Sequence, residues 1–174
     1  MIELRPDPLT AEAFRPFGDV IEARDAYELI NSGTTQKFAD LAKIDVSAEG
    51  GRPCVSIYRT TPYPSPLAIK ILERHPLGTQ LFMPLNRDPF LIVVAPIGDR
   101  VPPTSVRAFI TNGRQGINYQ RGTWHHALVA VERQTEFLVI DRVGQGRNCE
   151  ELALRGEQLV LHFPAVKSAP SAAN

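Results

Sequence analysis

Glu73-Arg74-His75-Pro76-Leu77-Gly78-Thr79-Gln80 follows the apolar run Leu67-Ala68-Ile69-Lys70-Ile71-Leu72, and the alternation across this junction decides how the chain folds. In a strand, successive side chains point to opposite faces. Ile69, Ile71, Glu73 and His75 then share one face, with Lys70 and Arg74 on the other. An apolar stripe that ends in a carboxylate and an imidazole describes the wall of a cavity with polar groups at its mouth. Pro76 presets φ and Gly78 tolerates positive φ, so Pro76-Leu77-Gly78-Thr79 is expected to turn and Gln80 to open the return strand beside His75. A surface hairpin with its charges in water fits the same spacing.

The second half of the candidate site is Gly122-Thr123-Trp124-His125-His126. A glycine shortly before a histidine at a strand start lets the backbone bend toward a ligand. Adjacent histidines on a strand face opposite ways, so one of the pair is expected in the site. His125 is assigned there and His126 to packing on the other face.

Working outward, the signal is mostly β. Thr10 is expected to cap a brief helix through Ala11-Glu12-Ala13-Phe14 that Pro16 ends. Strands are expected at Gly18 to Glu22 and Cys54 to Arg59. Others are expected near 68–75, 80–85, 90–95, 105–111, 117–120, 124–131, 135–142 and 157–163, separated by turn-forming stretches such as Asn112-Gly113-Arg114-Gln115-Gly116. Ala26 to Leu41 reads as a loop around Asn31-Ser32-Gly33-Thr34-Thr35 with helical turns beside it. Many short strands with regular turns predict a sandwich or barrel. Residues 1–164 are read as one domain and 165–174, small and polar, as a flexible tail. Phe90-Leu91-Ile92-Val93-Val94-Ala95 is apolar on both faces and so must be covered twice, by its own chain or by a partner subunit.

The 174 residues carry a formal net charge of zero, with 43% hydrophobic and 22% charged residues. That balance is ordinary for a globular protein and argues against a general nucleic-acid or membrane-surface binder. Cys54 and Cys149 lie far apart and form no Cys-x-x-Cys unit. The start Met1-Ile2-Glu3-Leu4-Arg5-Pro6 lacks a basic region followed by an apolar run, and a cytoplasmic protein acting on a small molecule is expected.

Glu73-x-His75 followed by Gln80, with Gly122-x-x-His125, resembles the two motifs of the cupin superfamily. Glu73 stands where a cupin usually has its first histidine, and Gln80 where it usually has an acid. Together with Arg107 to Gly113, Gly116-Ile117-Asn118-Tyr119 and Phe137 to Arg142, the set in register resembles the ureidoglycolate lyase family from about Phe14 to about Phe163. The resemblance implies a cupin-like jelly-roll β-barrel with a few short helices, and a homodimer. It further implies cleavage of (S)-ureidoglycolate to glyoxylate and urea in allantoin and purine nitrogen catabolism. Two other functions stand beside it: a non-catalytic cupin that binds a small carboxylic acid, and an amidohydrolase that releases ammonia and carbon dioxide.

The lyase chemistry needs a hydroxyl proton removed and a proton delivered to the departing urea nitrogen. His75 and His125 are the natural candidates, because imidazole titrates near neutral pH, and Glu73 joins them if burial raises its pKa. Glu73, His75, Gln80 and His125 also make an acceptable ligand set for a divalent metal. The resemblance suggests nickel, with manganese or zinc as alternatives. In a metal-free arrangement Glu73 and Gln80 hydrogen-bond the substrate instead. Arg59, at the end of the apolar stripe Val55 and Ile57, is a candidate carboxylate clamp, and Asn118 and Tyr119 are candidates for the ureido group.

Overall fold

A computed structural model describes residues 1–156 and 158–164; the expected tail at 165–174 lies outside them. Among the described residues there is one α-helix, Ala11–Phe14, started as its sequence predicts: the Ala13 backbone N–H donates to Thr10 Oγ1 at 3.2 Å. No helix among them is long and apolar enough to cross a membrane.

The rest is three stacked layers of strand and one hairpin. A central sheet runs in the order Glu150–Ala153, Ile71–Arg74, Trp124–His125, Phe90–Ala95, Arg107–Ile110, Asp7–Pro8, and Val129–Ala130 also pairs with Phe90–Ala95. A five-stranded sheet runs Gly18–Ile21, Gly116–Tyr119, Gln80–Pro84, Thr135–Val143, Arg52–Thr60. A three-stranded sheet holds Ile2–Leu4, Leu159–Leu161 and Leu67–Ile69.

Phe90–Ala95 explains the layering. All six residues are buried. Leu91, Val93 and Ala95 join one core cluster with Leu4, Leu159 and Leu161; Phe90, Ile92 and Val94 join another with Phe82, Tyr119 and Phe137. Period-two alternation thus sends one face of this strand to the three-stranded sheet and the other to the five-stranded sheet. Its double cover comes from its own chain, so this strand is not a subunit interface.

The mainly β expectation holds, and the closed jelly-roll barrel does not. A barrel needs every strand hydrogen-bonded on both sides until the sheet meets itself. Here each sheet is an open path: Glu150–Ala153 and Asp7–Pro8 end the central one, Gly18–Ile21 and Arg52–Thr60 end the five-stranded one. The layers are joined through side chains and crossing segments, not by a continuous ladder.

Two local readings also change. The stretch 67–75 is not one strand. Leu67–Ile69 pairs with Leu159–Leu161, and Ile71–Arg74 pairs with Glu150–Ala153 and Trp124–His125. The chain changes sheet at Lys70 and the facing shifts: Ile69 and Leu72 are buried, while Ile71 is 49% exposed and leaves the expected stripe. Around Asn31 the flanks are strands, Glu28–Ile30 and Thr35–Lys37, and not helical turns. Asn31 and Ser32 take positive φ there, the backbone a tight hairpin turn needs.

Candidate functional site

Glu73 and His125 lie opposite each other on adjacent antiparallel strands, which fixes their neighbourhood before any side chain is placed. His125 is in turn registered against Val94 of the doubly buried strand, so its backbone is anchored to the core. His75 follows one residue after the Ile71–Arg74 strand ends, and its carbonyl accepts the Gly122 N–H at 3.0 Å, which ties the two half-sites together. Gly122 has φ +79°, a conformation that L side chains rarely adopt.

The side chains converge. Donor atoms of Glu73, His75 and His125 all lie within 4.8 Å of one another. His125 Nε2 is 3.6 Å from Glu73 Oε1, and the two imidazole centroids are 5.2 Å apart. Each ring is oriented from behind by a backbone carbonyl. His75 Nδ1 donates to Asn148 O at 2.6 Å and His125 Nδ1 to Thr123 O at 2.9 Å. A carbonyl only accepts, so both Nδ1 atoms carry the proton and both Nε2 atoms present a lone pair. Both Nε2 atoms are buried without a partner among the described residues. This is the arrangement by which proteins orient histidine ligands, and the three residues can hold a metal ion.

Electrostatics follow from the packing. A hydrogen bond from His125, which its ring donates from Nε2 when protonated, holds the Glu73 carboxyl below its usual range, against the upward push of burial. Burial, and then the charge of a protonated His125, push His75 below the ordinary imidazole value. The expectation that burial raises the Glu73 pKa is therefore reversed: its imidazole neighbours win.

Beside this cluster is a cavity of about 100 Å³ between the central and five-stranded sheets, with room for a small molecule. Gln80 and Tyr119, cross-strand partners in the five-stranded sheet, both line it. Gln80 Oε1 and the Tyr119 hydroxyl are buried and unpartnered among the described residues. Tyr119 stacks on His125 with centroids 4.2 Å apart at 15°, and burial raises its phenol pKa well above the usual value.

Three expected placements differ. Asn118 neighbours Tyr119 on the strand and so faces the other way; its amide donates to Asp19 Oδ2 and to the Lys43 carbonyl, outside this cavity. Arg59 is exposed on the outer face with Val55 and Ile57, where its Nη2 donates to Glu136 Oε1 at 2.6 Å. His126 does not point away. The strand Trp124–His125 ends before it, so strict alternation no longer applies, and His126 borders the cavity with its ring against Tyr63.

Residues not singled out from sequence also contribute. Tyr58 and Thr60 line the cavity from the inward face of Arg52–Thr60, with the Tyr58 hydroxyl 3.4 Å from Asp141 Oδ2. The same alternation that grouped Val55, Ile57 and Arg59 would have placed them together on the other face. The Asn148 and Thr123 carbonyls had no signal, because backbone groups are common to all residue types.

The sequence profile of a family described as ureidoglycolate lyase matches residues 1–161. The chain is 48% identical over 165 residues to the ureidoglycolate lyase of Stutzerimonas stutzeri (strain A1501), covering 94% of this chain and 97% of that one. It is 52% identical over 160 residues to that of Azotobacter vinelandii, covering 91% and 96%. It is 52% identical over 152 residues to that of Burkholderia mallei (strain NCTC 10229), covering 87% and 89%.

Proposed function

The chain belongs to the ureidoglycolate lyase family, and from that premise we propose that the cavity beside Glu73, His75 and His125 cleaves (S)-ureidoglycolate to glyoxylate and urea. One observation carries the assignment of site: two buried imidazole Nε2 lone pairs, each fixed from behind by a carbonyl, meet an ionised carboxylate at the edge of a small cavity.

The substrate carries a hydroxyl and a ureido nitrogen on one carbon, next to a carboxylate. As the hydroxyl proton leaves, the carbon–oxygen bond becomes a carbonyl. The carbon–nitrogen bond breaks with its electron pair going to nitrogen, and urea departs once that nitrogen gains a proton. A neutral imidazole whose Nδ1–H is already committed has its base at Nε2, and the proton taken there can be returned to the departing nitrogen. His125 lines the cavity and takes this role. Glu73, its carboxyl held below the usual range, is the weaker base and stabilises the imidazolium as it forms. Gln80 Oε1 accepts from the ureido N–H groups and the Tyr119 hydroxyl donates to the substrate, each gaining the partner it lacks.

The donor set also fits a divalent ion held by Glu73, His75 and His125, with Gln80 as a fourth, weaker ligand. Mixed nitrogen and oxygen donors suit nickel, manganese or zinc, and the family resemblance favours nickel among them. When bound, such an ion would supply acidification of the substrate hydroxyl.

We also propose a homodimer that pairs through the outer face of the five-stranded sheet. Val55 is 66% and Ile57 56% exposed there, next to the half-buried Leu81, Met83, Leu138 and Ile140. A contiguous apolar face of this kind is the usual mark of an interface.

A product assay tests the reaction. Equal release of glyoxylate and urea is expected. Release of ammonia and carbon dioxide would make the enzyme an amidohydrolase, and no turnover at all would leave a binding protein.

A further inference from the structure

A second cavity, of about 360 Å³, lies on the opposite face of the Gly116–Tyr119 strand from the histidines. Asn118, 1% exposed, lines it. The Asn118 Nδ2 group donates to Asp19 Oδ2 and to the Lys43 carbonyl, both at 3.0 Å. Both partners are acceptors, which decides which end of the amide carries the oxygen. Oδ1 is then left buried with no partner among the described residues. A buried carbonyl in that state has lost its hydration and calls for a donor.

The charges around it are unequal in their commitments. Asp45 Oδ2 lies 3.5 Å from Arg121 Nη1, and Arg121 Nε donates to the Pro76 carbonyl at 3.1 Å. Asp19 Oδ2, besides Asn118, accepts the Lys43 backbone N–H at 3.1 Å. Arg15 and Lys43 also line the cavity, and neither makes an ion pair among the described residues. The cavity therefore offers two cations and one buried acceptor, a pattern that a single small molecule can satisfy.

We propose that this cavity is a second binding site, distinct from the one beside Glu73, for a small carboxylate that also carries an N–H donor. The carboxylate lies between Arg15 and Lys43, and the donor meets Asn118 Oδ1. This site stands whether or not the first cavity has the activity assigned to it.

N-carbamoylglycine has both groups and lacks the hydroxyl that the reaction consumes. It is titrated into ¹⁵N-labelled full-length protein while the Asn118 side-chain amide and the His125 ring are followed by NMR. The Asn118 amide shifts saturably, and in Arg15→Gln/Lys43→Gln its apparent Kd rises about 10-fold or more, while the His125 response is the same in both proteins. Both substitutions are at exposed positions, so the variant folds. Propionate, which has the carboxylate without the donor, moves the Asn118 amide at least about 10-fold more weakly. An Asn118 amide that does not shift, or that titrates alike in both proteins, overturns the site. Equal binding of propionate overturns the assigned ligand class.

Discussion

His125 and His126 are neighbours in sequence with unequal surroundings. His125 is 2% exposed, stacked on Tyr119, with its Nε2 3.6 Å from Glu73 Oε1; His126 is half-buried, its Nδ1 turned to the Ala127 carbonyl. His125→Ala is expected to lower kcat/KM by about 10²–10⁴-fold with the fold intact, the usual loss for one acid–base group. His126→Ala should change it by less than about 10-fold. Steady-state glyoxylate release, normalised to folded protein by circular dichroism, measures both. His75 and Glu73 are both shifted down, which makes stability depend on pH. A group that is harder to protonate when folded favours unfolding as acid is added. The metal-free protein should therefore lose melting temperature first as pH falls below about 6.5, from His75, and again below the usual carboxylate range, from Glu73. Calorimetry across that interval checks the sign. At this scale the sequence was informative in grouping Glu73 with His75 and His125, and it did not separate Tyr119 from Asn118, both taken as candidates for the ureido group although alternation places them on opposite faces. It was silent on Asn148 and Thr123, whose contribution is a carbonyl.

The turn Pro76–Thr79 is held from two sides, and its glycine serves a purpose other than the expected one. Gly78 is not at positive φ; a Cβ there would lie 2.7 Å from Arg142 Cβ, which is not a flexible chain end. Arg142, 8% exposed, is fixed by donating to the Ala48 and Gln145 carbonyls. The Leu77 N–H donates to Asn148 Oδ1 at 2.8 Å, so the same asparagine that orients His75 also anchors this turn. Gly78→Ala is expected to cost about 1–3 kcal/mol by overpacking and to lower turnover through displacement of His75 and Gln80. Urea denaturation and kinetics on one preparation would show both effects; an unchanged midpoint would mean that Arg142 yields freely. The strands near 80–84, 90–95 and 135–143 were readable because they are long and apolar on at least one face. Ile2–Leu4, Asp7–Pro8 and Glu150–Ala153 were not foreseen. They are short, and what makes them strands is the ladder of a neighbour distant in sequence.

For the whole molecule, the number of layers matters more than the number of strands. Sequence periodicity indicates which faces are buried and not whether a sheet meets its own first strand, since closure depends on pairings far apart in the chain. That is why the β content was legible and the open layering was not. The same limit bears on the proposed interface: the conspicuous run Phe90–Ala95 is interior, whereas Val55 and Ile57 on Arg52–Thr60 are exposed. Ile57→Arg is expected to convert a dimer to monomer without altering the fold, because Ile57 faces away from both core clusters. Light scattering with circular dichroism tests this, and a variant still dimeric would exclude that face. The register of His125 on the interior strand has a further consequence, in the time domain. Backbone amides that open only with global unfolding exchange deuterium last, whereas surface segments exchange through small local openings. Val93 accepts the His126 N–H at 2.9 Å, and Val94 is paired with His125, so the amides behind the histidines belong to the slow class. Lys43 sits in an irregular exposed segment and belongs to the fast one. Mass spectrometry of deuterated peptides should therefore find residues 90–95 and 124–126 among the last labelled and residues 40–45 among the first. The backbone that carries His125 would then stay closed over hours, while the rim of the second cavity opens and recloses many times within a single labelling pulse.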